Sequence, residues 1–461
     1  MSFLNFIRSR SIKDFLNLFF SNILQKILGA IRVPVEAVFF GDTFLFASYQ
    51  MIRSGANLFS QFTVGNALKA NLLPKFTKFY HSHSIVSLKR VFSFSNKSML
   101  FLFVVSQIIQ SFIILYIYYS PSASQLVNEV GKTGMTKDQI FLLLFIISVL
   151  LSFSICFNFF NMLYLTIMQA RGQFFKYSVA TTLNSFVVVI LIIPLSYFLN
   201  IIGLVISRLL GIISLTLGYI IPMNKEKNGK ELNLSKKDIN IPILILGNFA
   251  NIIIVTTQIV AGLETSGMEN SGVSRNITYF YFSSFILNAV LTSVVVNIST
   301  LLLKKISVKS SRVWLYYSLG ISIVLGLIMC LIFKFFNKEI VVFLYGNASD
   351  IMNYFFVFDS IDDEFLEITS QYLYQLSYSF LLIFIATTLF QPFFSITDNS
   401  VIKERNIMSI IFLSVLFLTF SVLFYMEYDV KYKSLLFIYI SSFVSVILSI
   451  YSYFKYLKFE K

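Results

Sequence analysis

The chain alternates between long apolar runs and short polar segments, and the length of the runs indicates what kind of protein it is. A helix needs about 20 mostly apolar residues to cross the hydrocarbon core of a bilayer. Runs of that length recur from one end of the chain to the other and predict twelve membrane-spanning helices. We place them at 16–40, 43–66, 98–119, 140–163, 175–199, 201–222, 239–262, 277–302, 313–336, 369–395, 406–426 and 433–455. The predicted fold class is therefore an all-α integral membrane protein.

A basic segment at 223–238 divides these spans into two sets of six. Six is an even number, so both sets begin on the same side of the membrane and form parallel repeats. We predict a cytoplasmic interfacial segment at 1–15, an N-lobe at 16–222, a cytoplasmic linker at 223–238 and a C-lobe at 239–461. Transporters built from such repeats bind their substrate between the halves.

The composition supports a membrane protein and argues against nucleic acid as a partner. Hydrophobic residues make up 57% of the 461 positions and charged residues 13%, whereas soluble domains carry about 25% charged residues. The net charge of +14 comes mostly from Lys and Arg in the segments between spans, so topology explains it. Cys156 and Cys330 lie in separate apolar runs and are expected to be buried thiols, with no metal site and no disulfide framework.

The basic residues are divided unevenly between the two sides of the predicted membrane. Of 36 Lys and Arg, 25 lie on the side of the termini, 7 on the opposite side and four inside spans. The positive-inside rule then places both termini in the cytoplasm. The longest outer segment, 337–368, is expected to be a solvated acidic loop.

Five charged residues lie in the interior of the predicted spans, at least four residues from either end, namely Lys26, Arg32, Glu36, Arg53 and Arg208. A charge at the bilayer centre costs ~2.5–3.5 kcal/mol on insertion scales, and such residues usually face a bundle interior or a hydrated cavity. Since four of the five are basic, the cavity should hold an anion. At 1.5 Å per residue, the three arginines lie ~10–15 Å below the outer surface. Arginine binds phosphate through paired hydrogen bonds and stays charged in a dry site.

Spacing on the helices indicates which polar groups share a face. Arg32 and Glu36 are four residues apart and can pair. Two polar stripes follow, one on span 2 and one on span 7: Gln50, Arg53, Asn57 and Gln61, then Asn248, Asn251 and Gln258. We predict that these polar faces line the cavity that holds the anion.

Structural roles are the alternative for each of these groups. Arg32 and Glu36 can form a purely structural pair, Arg53 can extend to the interface, and the amides can join helices. Lys26 lies about 120° around the helix from Arg32 and can point elsewhere. Pro34 is expected to kink span 1, because proline interrupts the helical hydrogen bonds.

The N-terminal region carries a recognisable pattern. It consists of the sequence LGAIR at 28–32, Phe40-Gly41 nine residues on, and a polar-striped second span closing at Pro74; 271–306 and 343–347 add to it. This pattern resembles the MurJ/MviN-like lipid II flippase family of the MOP exporter superfamily. The resemblance implies a V-shaped bundle of two six-helix lobes. It also implies export of an undecaprenyl-diphosphate-linked saccharide, with Arg32 as the functional arginine of the first span.

Several positions depart from the family pattern. The acid that usually follows the arginine is Val33, the basic pair expected late in span 2 falls on Ser60 and Gln61, and the basic residue expected in span 8 falls near Ser284. The family's two additional C-terminal spans have no counterpart. A related polysaccharide (Wzx-like) flippase for a capsule or O-antigen repeat unit is therefore an open alternative to a lipid II flippase.

The sequence thus predicts a monomeric flippase that works by alternating access, without catalysis and without a cofactor. Its partners would be the lipid-linked saccharide and membrane lipid. The three arginines would hold the diphosphate, and Asn57, Asn251 and Gln258 would contact sugar hydroxyls. One rival is a cation-coupled multidrug or small-molecule exporter of the same superfamily. Such an exporter would need acidic residues in its cavity, and Glu36 is the only acidic residue within the predicted spans. A second rival is a membrane polymerase or ligase acting on lipid-linked glycan, which would need catalytic groups in the outer segment 337–368, and that segment has no His.

Overall fold

The structure is a computed structural model of a chain that folds almost entirely into helices. It describes residues 10–41, 43–61, 66–82, 86–130, 136–221, 230–232, 234, 240–264, 272–308, 312–353, 361–395 and 399–459. Seven helices in these ranges are long and apolar enough to cross a membrane, and one bent pair passes the same test together. The chain is a multi-pass membrane protein, and the predicted all-α class is confirmed.

Among the residues that the structure describes, the N-terminal half contains seven helices and one π-helical turn. They are α1 (Arg10–Phe40), α2 (Phe44–Gln61), α3 (Asn66–Ser82), α4 (Lys89–Tyr119), α5 (Ser122–Val130), α6 (Lys137–Ala170) and α7 (Phe174–Leu215), with the turn at Thr216–Ile220. Helix α1 packs along α7, and α4 packs along α6. Helices α1 and α2 fall outside the group that meets the membrane-span criteria, and these two helices carry the predicted charges of spans 1 and 2.

The C-terminal half contains the remaining helices. They are α8 (Ile241–Gly247), α9 (Phe249–Gly262), α10 (Asn276–Val290), α11 (Val296–Val308), α12 (Arg312–Val341), α13 (Asn347–Asn353), α14 (Asp363–Ser395), α15 (Asn399–Tyr425) and α16 (Val430–Phe459). One π-helical turn, Leu291–Val295, joins α10 to α11, and another, Val342–Gly346, joins α12 to α13.

Four two-residue strands form two small ladders. Strand β1 (Val86–Ser87) pairs in parallel with β2 (Lys230–Glu231), which fixes part of the segment between the halves to the N-terminal half. Strand β3 (Leu263–Glu264) pairs antiparallel with β4 (Gly272–Val273) and joins the end of α9 to the start of α10.

Helix α7 is a hairpin of two antiparallel segments, as the sequence predicted for spans 5 and 6. The chain reverses at Asn200, which has a positive φ of 51°. Residues on the two sides of this reversal meet. A Cβ on Gly203 would lie 1.9 Å from the carbonyl oxygen of Leu195, and one on Gly211 would lie 2.5 Å from Val188. Glycine therefore allows the two segments to approach closely.

The segment 67–97, which the sequence places between predicted spans 2 and 3, is helical over most of its length. Helix α3 occupies its first part, and α4 begins at Lys89. Leu72, Leu73 and Phe76 lie on one face of α3 and are buried, which stabilises the helix against α6 and α8. The acidic segment 337–368 is also partly helical, because α12, a π-helical turn and α13 continue through it.

Predicted span 7 is broken into two helices. The axes of α8 and α9 differ by 70°, and Asn248 stands at the break. Asn240 caps α8 by accepting a hydrogen bond from the Ile243 amide at 3.2 Å. Helix α1, in contrast, continues through Pro34, so the kink predicted there is not accompanied by a break in the helix.

A continuous buried core joins the two halves. The same cluster contains Val33, Phe46 and Leu204 from the N-terminal half and Phe280 and Phe384 from the C-terminal half. Helix α2 packs against α9 and α10, and α3 packs against α8 and α11. We call this contact between the halves the seam.

The outermost helices expose apolar side chains, as expected where a protein meets lipid. Phe101 and Phe112 on α4, Phe335 on α12 and Phe417 on α15 are each more than 60% exposed. In water such a surface would favour association, but in a bilayer it is solvated by acyl chains. The two cysteines are buried free thiols, as predicted.

Candidate functional site

The site is built around a fully buried carboxylate on α1. Glu36 has 0% exposed side-chain surface, and its Oε1 atom lies 2.6 Å from Nη2 of Arg208 and 3.2 Å from Nε of Arg32. Arg32 lies one helical turn before Glu36, so the predicted pair is formed. Arg208 comes from the second segment of α7 and is 12% exposed, whereas Arg32 is 24% exposed.

Two tyrosine hydroxyl groups complete the environment of this carboxylate. Tyr281 on α10 donates a hydrogen bond to Oε2 of Glu36 at 2.8 Å. Arg208 donates to the hydroxyl of Tyr49 on α2 at 2.8 Å and to that of Tyr281 at 3.3 Å. Three of these elements belong to the N-terminal half and α10 to the other, so the network crosses the seam.

Arg53 lies beside this network on α2. Its guanidinium carbon is 5.2 Å from the centre of the Tyr281 ring, a cation–π geometry. Its Nη1 atom donates to Oε1 of Gln50 at 3.3 Å, and Gln258 of α9 donates to the same oxygen at 3.4 Å. Glu36 experiences the electrostatic attraction of all three arginines. We call these three arginines together with Glu36 the arginine cluster.

The arginine cluster carries more positive than negative charge. Three guanidinium groups face one carboxylate, and no second acidic group forms a salt bridge with them in the part of the chain that the structure describes. Buried charges are costly unless they are paired. The surplus of two positive charges is therefore suited to a ligand with two negative charges.

Several buried donors at the cluster lack a hydrogen-bond acceptor. They are Nε of Arg32, Nε of Arg208 and Nε2 of Gln50. The Arg32 atom is close to Glu36 but does not have hydrogen-bond geometry toward it. Most buried polar atoms in native proteins are satisfied, so unsatisfied donors beside a positive charge surplus indicate a site for an anion.

Arg32 also lines a small cavity between α1, α7 and α10. The cavity has a volume of about 120 Å³, with Gln25, Ser185 and Phe285 in its wall. On the other side of Phe285 lies an apolar groove of about 300 Å³, lined by residues that include Ile27 and Leu344. A polar cavity and an apolar groove thus share one aromatic side chain as their boundary.

The other predicted residues are distributed differently. Gln258 reaches the cluster through Gln50, but Asn251 does not: it donates to Asn248 at 2.8 Å and lines a separate cavity in the C-terminal half, with Thr387 and Gln391. Asn251 and Gln258 lie on the same helix, α9, but seven residues apart, which separates them by about 10 Å along its axis.

Two predicted positions give less information. Asn57 is half-buried, and its main-chain carbonyl accepts a hydrogen bond from Ser60 at 2.9 Å. The structure describes the backbone of Lys26 and Gln61 but not their side chains. The prediction that Lys26 takes part in binding therefore stays a prediction.

Sequence reasoning missed the two tyrosines of the site. Tyr49 is four residues before Arg53 and shares its helical face, which was a usable signal. Tyr281 had none, because it is one of 25 tyrosines in a chain rich in aromatic residues. The family's basic residue of span 8 corresponds to the vicinity of Ser284, which donates to the Tyr281 carbonyl at 3.1 Å.

Solved structures show where this architecture occurs. No family model matches the chain, and no curated protein matches it by sequence. The lipid II flippase MurJ in an inward closed conformation matches with a TM-score of 0.61 and 18% identity, over 96% of this chain and 87% of that one. A MOP superfamily transporter from Pyrococcus furiosus matches with a TM-score of 0.57 and 13% identity, over 99% of this chain and 98% of that one.

A MATE protein in complex with MaL6 is similar to the same degree, with a TM-score of 0.58 and 12% identity over 98% of each chain. The chain has the MOP fold. The resemblance in the N-terminal sequence is thereby confirmed at the level of the fold, and identities this low show nothing beyond it.

One prediction concerns the hydrogen bond that crosses the seam. Tyr281→Phe removes the hydroxyl from Oε2 of Glu36 but keeps the ring beneath Arg53. Loss of one partner of a buried charged group costs about 1–3 kcal/mol. We expect a lower thermal unfolding midpoint in detergent, with Tyr317→Phe, at an exposed position on α12, as the control. Equal midpoints for the two variants would show that the hydroxyl contributes nothing to stability.

Proposed function

We propose that the protein is a transporter that moves an undecaprenyl-diphosphate-linked saccharide from the inner to the outer leaflet. The observation that carries this proposal is the arginine cluster at the seam of a MOP fold. In a fold built from two halves, substrates bind between the halves and reach either side when the halves rock. A buried site at this place with a surplus of two positive charges fits a dianion.

Diphosphate is the anion that this chemistry favours. Guanidinium groups form charge-assisted, paired hydrogen bonds with phosphate oxygens. Arg32 and Arg208 approach from different helices and each has an unsatisfied buried Nε. A diphosphate has several acceptor oxygens spread over two phosphorus centres, so it can satisfy both donors at once.

The surroundings of Arg32 fit a ligand with a lipid tail. The apolar groove beside Phe285 is open to the surface and can receive an acyl-like chain while the charged group enters the polar cavity. The polar cavity of about 120 Å³ is too small for a diphosphate sugar. The proposed mechanism therefore requires the halves to separate during transport.

The remaining parts of the proposal follow from topology. Both termini would lie in the cytoplasm of a bacterium, with the protein as a monomer in the inner membrane. The two lobes would correspond to 16–222 and 239–461, with 223–238 as the linker. Gln258 and Asn57 are the proposed contacts for sugar hydroxyls, and Asn251 would contribute only in a state that opens its separate cavity.

Leaflet transfer in proteoliposomes tests this function. The probe is fluorescent undecaprenyl diphosphate N-acetylglucosamine, and quencher added outside reports how much of it has changed leaflet. We expect transfer by the wild type, and a rate about 10- to 100-fold lower for Arg32→Ala, because charge-assisted hydrogen bonds contribute about 1.5–3 kcal/mol. Arg90→Ala, at an exposed position on α4, is the matched control.

Three outcomes would contradict the proposal. Transfer of a neutral dolichol-like glycoside at the same rate as the diphosphate lipid would show that the arginine cluster does not select an anion. Extrusion of a cationic dye without lipid transfer would favour the small-molecule exporter. Elongation of the glycan without a change of leaflet would favour the polymerase or ligase.

A further inference from the structure

We propose that Glu36 is a built-in counter-ion that pairs with Arg32 and Arg208 in the absence of substrate and is displaced from them by a substrate carrying two negative charges. The inference rests on the proposed function and adds two things to it. It names the charge of the substrate as the property that is selected, and it names the contact that substrate binding releases at the seam.

The position of the Glu36 carboxylate makes it a competitor of a phosphate. One oxygen of Glu36 faces Arg208 and Arg32, and the other accepts the hydroxyl of Tyr281. Carboxylate and phosphate present similar pairs of acceptor oxygens to a guanidinium group. Glu36 therefore uses the same donor on Arg208 that a phosphate would need, and the two anions compete for it.

The two anions also differ in hydrogen-bond capacity. While Glu36 is in place, the Nε atoms of Arg32 and Arg208 and the Nε2 atom of Gln50 have no acceptor. A carboxylate has two oxygens and both are engaged. A diphosphate brings more oxygens, so the exchange gains hydrogen bonds for groups that are buried without partners, and such groups are costly to leave unsatisfied.

The net charge of the site also favours a diphosphate. The three guanidinium groups and the one carboxylate leave two positive charges uncompensated. A diphosphate esterified at both ends carries two negative charges, so the three arginines, the displaced Glu36 and the ligand together have no net charge. A phosphodiester lipid carries one negative charge and leaves one positive charge uncompensated at a partly buried site, which is less favourable. Selection for a diphosphate over a monophosphate linkage follows.

The exchange also has a consequence for the contact between the halves. The hydrogen bond from Tyr281 to Glu36 joins α10 to α1 across the seam, and a displaced Glu36 no longer holds it. Two other contacts also join the halves. The Ser122 hydroxyl accepts a hydrogen bond from the Val273 amide at 3.1 Å, and the guanidinium carbon of Arg275 lies 4.4 Å from the centre of the Phe44 ring. A ligand shifts a two-state equilibrium only through a difference in affinity between the states. Removal of the Glu36 contact supplies such a difference.

The test measures binding and separation of the halves in lipid nanodiscs with the full chain. Undecaprenyl diphosphate N-acetylglucosamine is compared with undecaprenyl monophosphate N-acetylglucosamine, which differs by one phosphate. We expect Glu36→Gln to bind both probes at least about tenfold more tightly than the wild type, because a competing charge has been removed. Glu364→Gln, at an exposed position on α14, should bind as the wild type does.

Opening is followed in the protein with Glu36 intact, so that the result does not depend on a variant that folds poorly. Spin labels at Asp138 on α6 and Glu364 on α14, both exposed, report the distance between the halves. The diphosphate probe should change this distance and the monophosphate probe should not. Glu36→Asp retains the charge and should restore discrimination toward the wild-type value.

The outcomes separate this inference from the proposed function. If the wild type binds the diphosphate probe and Glu36→Gln binds it no more tightly, Glu36 is not a competitor, and the flippase proposal survives. If both probes change the distance equally, the charge selection is wrong. If neither the wild type nor Glu36→Gln binds the diphosphate probe better than a neutral lipid, both proposals fail.

Discussion

Arg208→Met is expected to lower the rate of leaflet transfer at least about 100-fold and to destabilise the protein by about 3–5 kcal/mol. The transport effect follows because Arg208 is the guanidinium group that contacts Glu36, Tyr49 and Tyr281 at once. A 100-fold decrease corresponds to about 2.7 kcal/mol of lost transition-state stabilisation. The effect on stability follows because removing one partner of a buried ion pair leaves the other charge uncompensated.

The two effects can be separated by removing both partners. In the double variant Arg208→Met/Glu36→Leu, no buried carboxylate is left without its cation, so stability should return to near the wild-type value. Transfer of the diphosphate lipid should stay at the level of the single variant, because the guanidinium group is still absent. Thermal unfolding in detergent gives the first quantity, and the fluorescence quenching assay gives the second.

Recovery of transport together with stability would contradict this interpretation. It would mean that Arg208 and Glu36 are a structural pair and that the anion binds elsewhere. The matched control is Arg275→Met, which removes an exposed arginine close to the seam that stacks on Phe44. Its stability should fall only slightly, because exposed cation–π contacts contribute about 0.5–1 kcal/mol.

The sequence predicted the members of the site better than their arrangement. The spacing of Arg32 and Glu36 was sufficient to predict their contact, because four residues make about one helical turn. Arg208 was predicted as a site residue only from its depth in the membrane. In the structure it contacts Glu36, which is 172 residues away in the sequence. Which partner a buried arginine selects depends on how helices pack, and a single sequence does not contain that information.

The amides of predicted span 7 also show that spacing along a helix does not determine which side chains meet. Asn251 and Gln258 lie on one predicted stripe, yet Gln258 contacts Gln50 and Asn251 contacts Asn248. The two amides are seven residues apart on α9, about 10 Å along the axis, so a shared face does not give them a shared partner. At the start of the stripe, a 70° bend at Asn248 also breaks the predicted helix. The pair Gly247-Asn248 inside an apolar run was the available signal for that break, since both residues are poor helix formers.

For the fold, the length of the apolar runs was a reliable signal of helices, whereas the charged residues between the runs were misleading. The reversal at Asn200 was predicted because two span-length runs meet there with a single residue between them. Helix α3 was missed because its charged residues indicated a loop, although Leu72, Leu73 and Phe76 recur at helical spacing. A short helix that packs on neighbours needs only one buried face, so mean apolarity does not detect it.

Gly203→Ala is expected to prevent normal folding or to destabilise the protein by about 3 kcal/mol or more. A Cβ at this position would lie 1.9 Å from the carbonyl oxygen and 2.2 Å from the carbonyl carbon of Leu195. These are backbone atoms of the facing segment of α7, so no side-chain rotation can relieve the clash. Overpacking usually costs about 1–3 kcal/mol where side chains can move, and here the two segments themselves must separate.

Gly320→Ala is the matched control, because it makes the same chemical change inside another membrane-spanning helix. No atom lies within 4 Å of a Cβ built on Gly320, and the position is exposed. Alanine is favoured over glycine in a helix by up to about 1 kcal/mol, so this variant should be as stable as the wild type or slightly more stable. The measurements are the yield of monodisperse protein and its thermal unfolding midpoint. If the two alanine variants behave alike, the close approach of the α7 segments is wrong, and with it the path that places Arg208 beside Glu36.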